Sequence, residues 1–80
     1  MFYMYLLQGE DGTHYVGYTS DLKQRVNAHQ AGSNESTRYQ CWELVYYEAY
    51  KTEQQARDRE RKLKHHGRVY QLLIRRLEND

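Results

Sequence analysis

The chain has 80 residues, 39% of them hydrophobic, with 12 basic and 11 acidic side chains and a formal charge of +1. That length supports a single domain over residues 1–80 and excludes two, and no apolar run approaches the roughly 18 residues of a membrane span. The near-neutral balance argues against a strong nonspecific polyanion binder, which would carry a large basic excess. The apolar start, Met1 to Leu7, lacks the basic leader and small-residue cleavage site of a secretory signal, so a cytoplasmic protein is expected. Cys41 stands alone, which rules out an internal disulfide and zinc-finger spacing; it reads as buried filler. Two peculiarities remain. There are nine tyrosines against one phenylalanine, and the charge is uneven, net −3 over residues 1–50 and net +4 over 51–80.

Residues 2–7 mix aromatic and branched side chains at strand length, Gly9 to Gly12 with Asp11-Gly12 is a hairpin turn signal, and Thr13 to Tyr18 forms a second strand. Thr19-Ser20-Asp21 then offers N-cap side chains, and Leu22, Arg25, Val26 and His29 recur at helical spacing up to Gly32. A polar stretch, Ser33 to Tyr39, precedes a third strand over Trp42 to Tyr47, with Trp42 as a core anchor. Thr52 and Gln55 make a capping box for a helix over Glu53 to His65, with Ala56, Arg59, Glu60 and Leu63 on one face. Gly67 is expected to stop that helix, and Val69, Leu72, Leu73 and Leu77 mark the apolar stripe of a last one. The order ββαβαα predicts an α+β fold with a three-stranded antiparallel or mixed sheet covered by helices.

Polar side chains on faces that ought to be apolar are the informative ones, because an unpaired buried charge is costly. Arg25 and His29 lie within about 60° of Leu22 on the first helix, and Glu60 sits between Ala56 and Leu63 on a helix otherwise rich in arginine and lysine. An internal Arg25–Glu60 salt bridge or snorkelling at an edge would explain them, and core packing explains most of the tyrosines. Yet the hairpin makes Tyr5 and Tyr15 neighbours near that helix, so two phenols, a guanidinium, an imidazole and a carboxylate could converge. This inventory suits phosphodiester hydrolysis: the carboxylate holds a divalent metal, the guanidinium offsets phosphate charge, and phenol or imidazole relays protons. His14, His65 and His66 read as solvent or helix-end groups.

The same residues resemble the GIY-YIG nuclease superfamily, and within it the small stand-alone YhbQ/YazA-like proteins. Tyr3-Met4-Tyr5 stands at the GIY position and Tyr15-Val16-Gly17 at YIG. The continuation Tyr18-Thr19-Ser20-Asp21-Leu22, then Arg25, His29 and Gly32, follows the signature of the small members. Glu43-Leu44-Val45-Tyr46 and the run Ala56, Arg59-Glu60, Leu63-Lys64 match its later blocks, so the resemblance covers residues 2 to about 74. It implies the GIY-YIG fold and a DNA-cleaving site made by Tyr5, Tyr15, Arg25, His29 and Glu60. In that site Glu60 is the ligand of Mg²⁺ or Mn²⁺, Arg25 contacts the scissile phosphate, and His29 hydrogen-bonds or shuttles a proton. Tyr15 is the general base of a one-metal mechanism, and Gly17 leaves the strand surface open to substrate. Thr19, Lys62, Lys64 and Arg68 complete the substrate side. The position after Gly17, a lysine in lineages that incise damaged DNA, is Tyr18, and the asparagine that larger members carry after the glutamate has no counterpart. The implied activity is a DNA endonuclease or exonuclease, structure-selective and linked to repair or processing. Its DNA binding would be weak and salt-sensitive, with a protein partner supplying specificity. The competing reading is a noncatalytic nucleic-acid-binding or partner-recruited module on the same fold.

Overall fold

The computed structural model describes residues 1–30 and 41–78; the expected helix stop at Gly32 and the polar stretch Ser33 to Tyr39 lie outside them. The elements are β1 (Phe2–Gly9), β2 (His14–Thr19), α1 (Leu22–Gln30), β3 (Trp42–Tyr50), α2 (Glu53–His65) and α3 (Gly67–Glu78). This is the ββαβαα order and α+β class that the sequence predicts. The β1–β2 turn depends on Gly12, whose φ of 87° suits a residue without Cβ. Asp11 closes the turn by accepting from the Thr13 N–H at 3.1 Å and the Thr13 hydroxyl at 2.7 Å.

The sheet order is β2-β1-β3, and both pairings are antiparallel. The central strand is buried on both faces, with Met4, Tyr5, Leu6 and Leu7 almost wholly enclosed, which accounts for its run of adjacent apolar residues. On one face Met4, Leu6 and Val16 pack with Leu63 of α2 and Leu73 of α3; on the other Tyr5, Leu7 and Trp42 pack under Leu22 and Val26 of α1. A register shift between Leu6 and Leu7, where Leu6 opposes Tyr46 and Leu7 opposes Leu44, leaves Val45 as the extra residue of a bulge.

The helix ends follow local chemistry. Asp21 accepts from the Gln24 N–H at 3.1 Å and starts α1. The Thr52–Gln55 capping box forms in both directions and starts α2. Three expectations need correction. Gly67 does not end α2: His66 caps it, donating its N–H to the Lys62 carbonyl at 2.9 Å, and Gly67 opens α3. Leu72 is exposed; the inward face of α3 is Val69, Tyr70, Leu73, Ile74 and Leu77, because Leu72 lies about 130° from the middle of that stripe. Cys41 is likewise exposed rather than buried.

β3 also runs three residues beyond the expected Tyr47, through Glu48. A carboxylate is tolerated there because four donors converge on it. The Tyr46 hydroxyl donates at 2.7 Å, the Tyr50 hydroxyl donates to the other oxygen, and Arg59 of α2 donates through Nε at 3.0 Å and Nη2 at 3.3 Å. Burial alone would raise the Glu48 pKa, but these hydrogen bonds and the Arg59 charge outweigh it and hold the carboxyl below its ordinary value. Burial first and the Glu48 bond second push the Tyr50 phenol up to about 12, against the opposing charge of Arg59. A folded-state pKa below the unfolded one means stability that is complete above the ordinary glutamate value of 4.5 and lost as pH falls through the lower, folded value. Glu48→Gln should therefore cost roughly 1–2 kcal/mol at neutral pH and flatten the acid limb of a stability-against-pH curve, measured by urea unfolding. A variant with an unchanged acid limb would refute this role.

Candidate active site

Register places the two motif tyrosines. Tyr5 opposes Gly17 and Leu7 opposes Tyr15 across the β1–β2 ladder, so Tyr5 and Tyr15 are diagonal neighbours on one face. Their rings lie 6.4 Å apart, stacked at 30°. His29 reaches the same spot from the last turn of α1, its ring 4.9 Å from Tyr15 and 5.7 Å from Tyr5. Tyr5 Oη and His29 Nε2 hydrogen-bond at 2.9 Å, with the imidazole tautomer deciding which donates. Both side chains are fully enclosed.

Burial has opposite consequences for the two groups. Desolvation, reinforced by Tyr15, pushes the Tyr5 phenol far above its usual range against the opposing pull of Arg25. Desolvation and then the Arg25 charge push the imidazole of His29 down. At neutral pH the pair is a neutral phenol bonded to a neutral imidazole.

A cleft of about 400 Å³ opens at the β2 edge of the sheet, and Tyr5, Tyr15, Gly17, Thr19, Arg25 and Glu60 line it. Six of the sequence-predicted residues thus share one cavity. His29 stands behind the wall and is linked to it through Tyr5. Lys64 stands at its margin, with Nζ 5.7 Å from the Tyr15 ring centroid and 3.6 Å from Glu60 Oε1. Lys62 and Arg68 are exposed and do not line the cleft. The Thr19 hydroxyl is committed to the β2–α1 turn, accepting from the Asp21 N–H at 3.1 Å and donating to the Asp21 carbonyl at 3.3 Å.

The Arg25–Glu60 salt bridge considered as the plain explanation of both residues does not form. Glu60 pairs with Lys64 one turn along α2, a pair too exposed to contribute much. Arg25 Nε is buried without a hydrogen-bond partner among the described residues, an arrangement that costs free energy. Gly17, which lines the cleft, also meets a packing demand: a Cβ there would lie 2.5 Å from Tyr5 Cζ and 3.0 Å from Cε1. The strand is bare so that the Tyr5 ring can cross it.

The cleft also draws on Phe2, Tyr18, Ser20 and Glu53, which sequence reasoning passed over. Tyr18 lies directly after the second motif, and the Arg57 guanidinium sits 5.8 Å above its ring, a contact across elements that local spacing does not announce. Glu53 pairs with Arg57 at 3.8 Å.

No cluster of three or more histidine, cysteine, aspartate or glutamate side chains that could hold a metal ion occurs among the described residues. Glu60 offers a carboxylate in the cleft, with Glu53 and Arg25 on the same lining. Carboxylate oxygens without histidine or cysteine fit a hard cation that keeps most of its waters and takes the rest of its shell from substrate phosphate, as Mg²⁺ does.

Comparison with known proteins agrees with the geometry. Residues 1–71 match the family model of the GIY-YIG catalytic domain. A UPF0213 protein of Streptococcus agalactiae is 45% identical over 56 residues, covering 68% of this chain and 64% of the relative. One from Streptococcus pyogenes is 45% identical over 56 residues, covering 68% and 61%. The chain spans just under two-thirds of the length of these curated relatives. The solution NMR structure of a UPF0213 protein from Bacillus halodurans superimposes with a TM-score of 0.57 at 30% identity, over 92% of this chain and 84% of that one. With its strand order, its two tyrosine motifs and the family model in agreement, the chain belongs to the GIY-YIG family, among the small members grouped as UPF0213.

Proposed function

We propose that the protein is a metal-dependent DNA nuclease that hydrolyses phosphodiester bonds with one divalent cation held by Glu60. The observation that carries the reading is one cleft lined by Arg25, Glu60 and both motif tyrosines. A phosphate bound there pairs with the Arg25 guanidinium. A bound Mg²⁺ or Mn²⁺ supplies charge to offset the developing negative charge on phosphorus-bound oxygens.

The chain's own groups do the rest. Arg25 anchors and orients the scissile phosphate. Tyr5, kept neutral by burial and tied to His29, serves as a fixed hydroxyl at the cleft wall rather than a base. Tyr15 is half-buried and faces the cleft, so it is the phenol within reach of the attacking water. Acting as phenolate, Tyr15 takes the proton of the attacking water as the water oxygen bonds to phosphorus; the bond from phosphorus to the departing sugar oxygen breaks, and solvent protonates that oxygen. Lys64, Lys62 and Arg68 add backbone attraction, giving weak, salt-sensitive affinity. A structure-selective role in DNA repair or processing, inside the cell and with a protein partner adding specificity, is the setting that fits this modest surface.

The test is a panel of end-labelled single-stranded, duplex, flap and branched DNAs with Mg²⁺, Mn²⁺ or EDTA, with Arg25→Met beside the wild type. Cutting by the wild type with metal and none in EDTA is expected. Arg25→Met should slow cutting by about 10²-fold or more, yet be at least as stable, since it removes a buried donor without a partner. Failure of the wild type to cut any substrate overturns the proposal, and undiminished cutting by Arg25→Met overturns the role of Arg25.

A further inference from the structure

On the opposite side of α1 from the cleft lies a second cavity of about 580 Å³, which the nuclease reading does not use. Its floor is the part of the sheet that α1 leaves uncovered. Tyr3 of β1 and Tyr47 of β3 meet there edge to face, with ring centroids 6.1 Å apart. Tyr47 is 52% exposed, one of few large hydrophobic side chains left so open. Leu22, Val26 and Leu44 form the apolar wall.

Two features narrow what such a groove would hold. Its rim is polar, with Lys23 and Asn27 from α1. Of the two charged rim residues, Asp21 is already committed to capping α1 through the Gln24 N–H, whereas Lys23 has no ion-pair partner among the described residues. An aromatic floor below one uncommitted cation suits a flat, π-faced ligand that carries negative charge. The groove and the cleft also meet at one residue: Ser20, in the turn between β2 and α1, lines both. A chain leaving the cleft past Ser20, around the N-terminal end of α1, would reach the groove.

We infer that the Tyr3–Tyr47 groove receives an unpaired nucleotide of the same nucleic-acid strand whose phosphate occupies the cleft. The inference rests on the nuclease reading for that strand's path. The base stacks on the exposed Tyr47 ring and its phosphate meets Lys23. A base inside a duplex has both faces covered by its neighbours and cannot stack there, so the groove selects nucleic acid with a single-stranded segment beside the contacted phosphate.

The test uses fluorescence anisotropy in EDTA, where no cutting competes, with a labelled oligothymidylate and a labelled blunt hairpin duplex. Tyr47→Ala should weaken oligothymidylate binding by about tenfold and leave duplex binding unchanged, while Tyr47→Phe keeps both. Circular dichroism checks that the variants fold, which the exposure of Tyr47 favours. Equal loss on both probes, or no loss on oligothymidylate, overturns the inference. So does a wild type that sediments as a dimer and a Tyr47→Ala that sediments as a monomer with unchanged affinity, which would make the groove a contact between copies of this chain. Because binding is read without metal, a Tyr47 effect in a protein that never cuts would sink the nuclease reading alone, and cutting without a Tyr47 effect would sink the groove alone.

Discussion

Glu60→Ala should abolish Mg²⁺-dependent cleavage, with a loss of about 10³-fold or more, while leaving DNA affinity and thermal stability near those of the wild type. Removing the carboxylate proposed to anchor the cation forfeits several kcal/mol of transition-state stabilisation, and every 1.36 kcal/mol is tenfold in rate. The fold has little at stake. Among the described residues Glu60 is bonded only to Lys64 on the same helix, a pair worth about 0.3–0.5 kcal/mol, and the burial of Ala56 and Leu63 on either side holds α2 in place. Initial rates on a labelled substrate, anisotropy in EDTA and a melting curve separate these effects. Cleavage by Glu60→Ala at the wild-type rate would show that the carboxylate is a structural residue and favour a noncatalytic binding module.

Gly17→Ala should cost about 3 kcal/mol of stability, at the upper end of what one added methyl does to a packed core, and should also remove activity. The new Cβ would enter the space held by the Tyr5 phenol. That ring cannot swing aside, because it is enclosed under α1 and bonded to His29. Relief requires β1 and β2 to separate or the Tyr5–His29 bond to break, and either displaces the wall of the cleft. Urea unfolding of a double-mutant cycle gives the decisive reading: in a Tyr5→Leu background the cost of Gly17→Ala should shrink to less than half. An equal cost in both backgrounds would place the strain somewhere other than the tyrosine ring.

Much of this was legible in residue types and spacing. The Asp11-Gly12 turn, the capping box at Thr52 and the bounds of α2 are short-range chemistry, complete within a few residues of sequence, and all three are found as read. The inward placement of His29 between half-buried Leu22 and Val26 also follows from helical spacing. What escaped notice depends on partners far along the chain. Glu48 looks like the end of a strand until Arg59, eleven residues on, is seen to reach it. Arg25 and Glu60 looked like mutual partners because opposite charges on inner faces invite pairing, yet only three-dimensional distance could deny it. The surplus of tyrosine divides in the same way: Tyr46 and Tyr50 serve as hydroxyl donors to one carboxylate, a use that phenylalanine could not fill.

The bulge at Val45 works as a change of reading frame. Trp42 and Leu44 are in phase with the face under α1, whereas Tyr46 and Tyr50 are in phase with the face under α2 and α3, although all four are even-numbered positions of one strand. In an unbroken strand they would share a face, and the Glu48 side chain would turn away from Arg59. One unpaired residue therefore lets a single strand contribute to both layers of the protein: its first half seals the floor beneath His29, and its second half anchors the helix that carries Glu60.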